Sequence, residues 1–395
     1  MRQSANQPHL RLVTTTGPVQ LILNATVHLG GCKVRTGTTV VSSPSRDDTG
    51  REPFTMLSSM KSRPNLLTLC AVTLLVVVFS GGCSKQQPAS SEATASASTS
   101  ADAGAAATPQ PAAVAAGSNS DSPKPDLNGN RAMQYVKEIV AMGARPPGSP
   151  AHAKLEQYIL SKLQGVDVEQ DKFTAQTPVG KFPMNNIIAK FPGKKDGIIV
   201  VAGHYDTAYP LGKSFVGAND GGSSTALLLA LADQLRGKEL DGYSVWLLWT
   251  DGEEAFVQWT DTDSVYGTRQ LAQKWQQDGT AKKIKALILV DMIGDADLDI
   301  LQDTYSTRWL SDLVYQAASN LGYQSHFYRF KTPMEDDHKP FLKVGVPSID
   351  LIDFTYGYNN VFWHTQEDTP DKLSAQSMAI TGDVVLEAIR LLNAK

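Results

Sequence analysis

After Cys83 this sequence contains no cysteine at all; its three cysteines are Cys32, Cys70 and Cys83. A disulfide framework is therefore excluded for the long C-terminal part, which must rest on its own core and on any metal it binds. A basic excess is lacking too. The chain has 36 Lys and Arg against 40 Asp and Glu, a net charge of −4, so nothing in the composition points to nucleic acid. There is no internal repeat and no phosphate-cradling glycine motif. No apolar run reaches the ~20 residues of a membrane-spanning helix.

What is present divides the chain into unequal regions. Residues 1–59 show no clear periodicity and no chemical motif. Translation is expected to start at Met56 or Met60, which leaves 1–59 unassigned or a misassigned extension. Residues 60–83 have the form of a secretion signal: Lys61 and Arg63, then the apolar run Leu66–Phe79, then Ser80-Gly81-Gly82-Cys83. Small residues before a cysteine suggest lipidation at Cys83. The protein is thus expected to be exported and held as a bacterial membrane-anchored lipoprotein, on the periplasmic or cell-surface side. Residues 84–126 are rich in Ala, Ser, Thr and Pro and cannot bury a core. As a flexible tether they would span on the order of 35 Å.

Residues 127–395 carry the fold. Helical apolar spacing covers 131–142, 151–163, 309–321 and 374–392, and a further helix is expected over 225–235 with Ser223 or Ser224 as its cap. Strands are read at 166–176, 185–191, 197–202, 243–249, 284–290 and 346–352, several of them continuously apolar and so buried on both faces. Alternating strands and helices predict an α/β class, an open and mostly parallel twisted sheet with helices on both faces.

The candidate chemistry gathers around Trp249-Thr250-Asp251-Gly252-Glu253-Glu254-Ala255-Phe256, where a buried strand ends. In an open α/β sheet that is where sites form. Adjacent residues leaving a strand point in different directions, so Glu253 and Glu254 can serve a proton and a metal separately. Four more candidates lie at strand ends or in nearby loops: His204, Asp220, Asp291 and His364. Each has an ordinary reading as a cap, a turn residue or a packed histidine. Their joint pattern favours a catalytic zinc, which keeps three protein ligands and one open position.

These stretches are similar to those of the animal-type zinc glutaminyl-peptide cyclotransferases, relatives of the zinc aminopeptidases. The resemblance runs from about Met133 to the C-terminus. It is carried by His204-Tyr205-Asp206, Asp251-Gly252-Glu253-Glu254-Ala255-Phe256 with Trp259, Asp291-Met292-Ile293-Gly294, Asp336-Asp337-His338-Lys339-Pro340-Phe341 and Trp363-His364-Thr365. It implies that Asp220, Glu254 and His364 hold one zinc per chain. It further implies that Glu253 is the general acid/base, that Asp291 and Asp336 line the leaving-group side, and that Trp259 and Trp363 wall the pocket. The substrates would be peptides or proteins with N-terminal Gln, cyclised to pyroglutamate with loss of ammonia, by a monomer. Two features depart from the animal pattern: Asp350 stands where those enzymes usually have His, and the loop 353–362 looks longer. The disulfide of animal relatives is absent, since Gly203 and Thr225 occupy the matching positions. Two alternatives stay open: a two-zinc aminopeptidase that also recruits His204 and Asp291, and a non-catalytic peptide-binding lipoprotein.

Overall fold

The computed structural model describes residues 126–395 and, upstream, two short strands, β1 (Thr26–Leu29) and β2 (Cys32–Arg35), which pair antiparallel. The expected signal segment, Cys83 and all but the end of the tether lie outside the described residues. Among those residues no helix is long and apolar enough to cross a membrane.

From residue 126 onward the elements run as follows. Helices α1 (Gly129–Val140) and α2 (Pro150–Lys162) precede a hairpin of β3 (Asp167–Thr177) and β4 (Gly180–Phe191). Then come β5 (Gly193–His204), α3 (Gly222–Leu235), β6 (Leu240–Thr250), α4 (Tyr266–Asp278) and β7 (Ile284–Asp291). Last are β8 (Ile300–Asp303), α5 (Arg308–Leu321), β9 (Phe327–Thr332), α6 (His338–Lys343), β10 (Ser348–Ile352) and α7 (Ala375–Asn393). Local chemistry accounts for several boundaries. The side chains of Asn128, Ser149 and Ser374 accept N–H groups of the first turns of α1, α2 and α7, and Pro150 opens α2. Gly322 closes α5 at φ +82°, a conformation that costs glycine little.

Six strands form one sheet in the order β10-β7-β5-β6-β4-β3. β10, β7, β5 and β6 are parallel, and β4 and β3 add antiparallel at one edge. The expected parallel sheet is thus observed with an antiparallel hairpin joined to it. Side chains alternate between two cores. Ile199 and Val201 of β5 face α1, α3, α5 and α7, while Ile198, Val200 and Ala202 face Leu271 and Trp275 of α4 and Phe341 of α6. Burial on both faces explains why β5 and β7 read as unbroken apolar runs.

Candidate active site

β5, β6 and β7 are parallel, so His204, the Asp251–Glu254 turn and Asp291 all emerge at one edge of the sheet. The turn is tightly anchored. Asp251 is fully buried; its carboxylate accepts from the Tyr205 hydroxyl at 2.9 Å and from the Asn185 N–H at 2.8 Å, and pairs with His152 Nε2 at 2.7 Å. Gly252 adopts φ +68°, with Met184 where a side chain would go. The carboxylate of Asp206 then accepts the N–H groups of Glu253 (3.1 Å) and Glu254 (3.3 Å).

The two glutamates part company as expected. Glu254 Oε1 lies 3.0 Å from His364 Nε2, and that nitrogen lies 3.2 Å from Asp220 Oδ2. One ligand atom from each of Asp220, Glu254 and His364 falls within 4.8 Å of the others. Asp220 Oδ2 is buried and makes no well-formed hydrogen bond, although His364 lies close. Two carboxylates and an imidazole that converge with an unsatisfied oxygen suit a zinc ion, whose ligands are these atom types. Glu253 instead approaches His204 Nδ1 (4.0 Å) and lines a cavity of about 460 Å³ with Asp291, Asp336, Trp259, Trp363 and Phe354. The expected site residues therefore meet in one place.

Asp220 also belongs to a second trio. His204 Nε2 lies 3.2 Å from Asp220 Oδ1 and 3.1 Å from Asp291 Oδ1, and these three could likewise hold an ion. In both trios the histidine nitrogen lies between two carboxylates at similar distances.

The electrostatics are those of crowded acids in a dry place. Burial, reinforced by the nearby Asp336 and Glu254 carboxylates, pushes the Glu253 carboxyl well above the usual carboxylate range, despite the opposing pull of His204. Burial likewise raises Asp336 strongly, with Asp291 and Asp337 adding to it, and raises Asp291, which His204 restrains. These groups cannot all ionise independently, so they share protons. Burial lowers the basicity of His364, yet Asp220 and Glu254 outweigh it and raise its pKa to about 10. A metal must therefore displace a proton from that ring on binding.

Two expectations change. Ser223 and Ser224 do not cap α3. Gly221, at φ +74°, precedes the helix, and the two hydroxyls donate to Asn219 O (2.6 Å) and His204 O (3.0 Å) from within its first turn. Glu335–His338 is not wholly a loop, because His338 begins α6. Asp350, which stands where the animal enzymes usually have His, is not among the residues that line the cavity. It is fully buried, 3.9 Å from His338 Nδ1, and among the described residues neither carboxylate oxygen finds a hydrogen-bond partner.

Sequence reasoning gave no role to Asp206, Asp251, Asp337, Asp368 or Arg145, all buried around the site. Asp337 receives the hydroxyls of Thr250 (2.5 Å) and Thr268 (2.6 Å). Arg145 donates to the carbonyls of Val216 (2.6 Å) and Gly217 (2.9 Å). Their one signal in the sequence was adjacency to the motifs, as in His204-Tyr205-Asp206.

Comparison with known proteins agrees with this geometry. Residues 186–389 match peptidase family M28. A glutaminyl-peptide cyclotransferase of Drosophila melanogaster is 33% identical over 252 residues, covering 57% of this chain and 70% of that protein. The crystal structure of an Acidobacteriales bacterium glutaminyl cyclase superposes with a TM-score of 0.68 at 48% identity, covering 71% of this chain and 99% of that one. A Zn-dependent exopeptidase from Parabacteroides distasonis superposes at 0.61 with 26% identity, covering 69% of this chain and 100% of that one. The chain belongs to peptidase family M28 and, within it, to the glutaminyl-peptide cyclotransferases.

Proposed function

We infer that this protein is a zinc-dependent glutaminyl-peptide cyclotransferase, an acyltransferase that converts the N-terminal Gln of peptides or proteins to pyroglutamate and releases ammonia. The divergence of Glu253 and Glu254 carries the reading: one carboxylate meets Asp220 and His364, the other faces the cavity among acids. Asp220, Glu254 and His364 would hold one zinc. When bound, that ion acts as a Lewis acid on the substrate's γ-carbonyl.

The remaining work falls to the chain itself. The α-amine attacks the γ-carbonyl carbon, the new C–N bond closes the ring, and the bond to the amide nitrogen breaks. Glu253 takes the proton from the attacking amine and returns it to the departing nitrogen, which leaves as ammonia. A base with a raised pKa suits both halves of that exchange. Asp291 and Asp336 line the leaving-group side and pass protons among themselves. Trp259 and Trp363 wall the cavity; Trp363 stacks on His364 at 4.1 Å and meets Phe354 edge-on at 4.9 Å, which holds the ligand ring and limits water. The count of one zinc follows from the resemblance to the cyclotransferases, and metal analysis of the purified chain tests it against a second ion held by His204, Asp220 and Asp291.

Mass spectrometry of a Gln-initiated peptide after incubation should show loss of ammonia. Two zincs per chain, with release of N-terminal residues from unblocked peptides, would instead establish the aminopeptidase; no metal and no turnover would leave a peptide-binding module. We further propose a monomer anchored through a lipid on Cys83, the remaining domain limits being 60–83 for the signal and 84–126 for the tether. Cys83→Ser should then move the protein from the membrane to the soluble fraction with activity intact, and a wild-type protein already soluble would refute the anchor.

A further inference from the structure

The loop that carries Asp220 is held from two sides. On one side Arg145, fully buried, takes the carbonyls of Val216 and Gly217. On the other side Asp368 takes the amides. Its Oδ1 accepts the Asn219 N–H at 2.8 Å and its Oδ2 the Asp220 N–H at 3.1 Å. Asn219 is itself fastened to the turn after β7, donating to Met292 O at 3.0 Å and accepting the Gly294 N–H at 2.8 Å. Asp220 thus leaves a backbone that has little freedom to move.

Asp368 follows His364 by four residues. One turn therefore supplies a ligand through His364 and grips the backbone of another ligand through Asp368. The grip reaches one step further. The Tyr356 hydroxyl donates to Asp368 Oδ1 at 2.8 Å, and both residues are fully buried. Tyr356 lies in the 353–362 loop, where Phe354 lines the cavity and packs against Trp363. A chain of hydrogen bonds thus links the loop that walls the pocket to the backbone amide of Asp220. Burying the Asp368 carboxylate near Asp220 is costly, the buried Arg145 guanidinium offsets part of that cost, and partners of this kind orient ligands around bound metals.

We propose that Asp368 is a positioning residue for the metal ligand Asp220, and that Tyr356 couples it to the aromatic loop, so that this loop sets zinc affinity as well as pocket shape. The proposal rests on the zinc reading above. Tyr356→Phe removes the hydroxyl and keeps the ring that packs against Phe362. Zinc affinity of the full chain, measured by competition with a chelator, should fall about 10- to 100-fold in this variant. The melting temperature should then drop more in the zinc-loaded than in the zinc-free protein. A merely structural hydroxyl would lower both alike and leave zinc affinity unchanged, and that result overturns the proposal while sparing the zinc reading. Asp368→Asn keeps the size of the side chain but replaces an accepting oxygen with a donor, and should weaken zinc binding further; if it does not fold, Tyr356→Phe still decides. Tyr358→Phe, at an exposed position in the same loop, should bind zinc as wild type does, and a loss as large as that in Tyr356→Phe would also overturn the coupling. A wild-type chain that binds no zinc overturns both readings.

Discussion

At the scale of single residues, the division of labour between neighbouring glutamates makes the sharpest claim. Glu254→Gln should purify with little zinc, because a neutral amide is a poor ligand for a divalent cation. Glu253→Gln should keep its zinc and lose activity by about 10²–10⁴-fold, mainly in kcat, since the walls and ligands of the pocket remain. Metal analysis beside steady-state kinetics checks both; the reverse pattern would exchange the two roles. The divergence of the two side chains was legible in the sequence because consecutive residues beyond a strand point apart, while the role of each came from the family resemblance. The roles of Asp206 and Asp251 were not legible there. They act by accepting backbone N–H groups and a buried hydroxyl from residues 46 to 66 positions away in the chain, and no local pattern announces such a partner. Asp303 belongs to the same hidden class. Burial alone would raise its pKa, but His338 Nε2 at 3.1 Å, the Ser306 hydroxyl and the Tyr305 N–H outweigh that and hold it at about 2, below its ordinary 3.8. A depressed acid stabilises the fold above its unfolded pKa and loses that contribution as pH falls towards the folded one. Asp303→Asn should therefore melt below wild type at neutral pH, with the gap narrowing between about pH 4 and pH 2.

Among the elements, the turn after β6 matters most, and its geometry depends on a residue without a side chain. At Gly252 a Cβ would lie 2.5 Å from the Met184 sulfur, at a φ that other residues adopt only under strain. Gly252→Ala should cost on the order of 1–3 kcal/mol in stability and displace Glu253 and Glu254 together. Thermal melting and zinc content would both fall; unchanged values for each would show the turn to be more yielding than its contacts suggest. The long elements were readable because their apolar spacing is strong. α4 escaped notice because its sequence is mostly polar, with Leu271, Ala272 and Trp275 as its buried apolar anchors, and because no side chain caps it; Val265 precedes it at φ +43°. β8 and β9 are short, pair with each other outside the main sheet, and β9 is largely solvent-facing, so neither alternation nor a long apolar run marks them.

For the whole molecule, the metal and the fold should be linked. A ligand that binds the native state alone stabilises it by about 4 kcal/mol when present at a thousand times its Kd. Treatment with a chelator should therefore lower the melting temperature and abolish cyclisation, and zinc should restore both. A melting temperature indifferent to chelation would argue that the ligand trio contributes nothing to folding. The absence of cysteine after Cys83 makes the same point from composition. With no cross-link, the domain depends on two apolar cores either side of the sheet, and Gly203 shows why a bridge at that point is not merely missing. A Cβ there would come within 2.6 Å of the Ser224 Cβ, so the backbone of β5 and α3 has closed into the space.

The sequence by itself determined the class of fold, the edge of the sheet at which the candidate residues gather, and the family. These follow from local signals: apolar runs that must be buried, residue types at strand ends, and motifs held within a few positions. Tertiary structure decided the rest. It added an antiparallel hairpin to the parallel sheet, placed His204 between two carboxylates, buried Asp350 outside the lining of the pocket, and tied Tyr356 through Asp368 to Asp220. Such links join residues far apart in the chain, and they depend on which buried polar groups must find partners once the cores have closed.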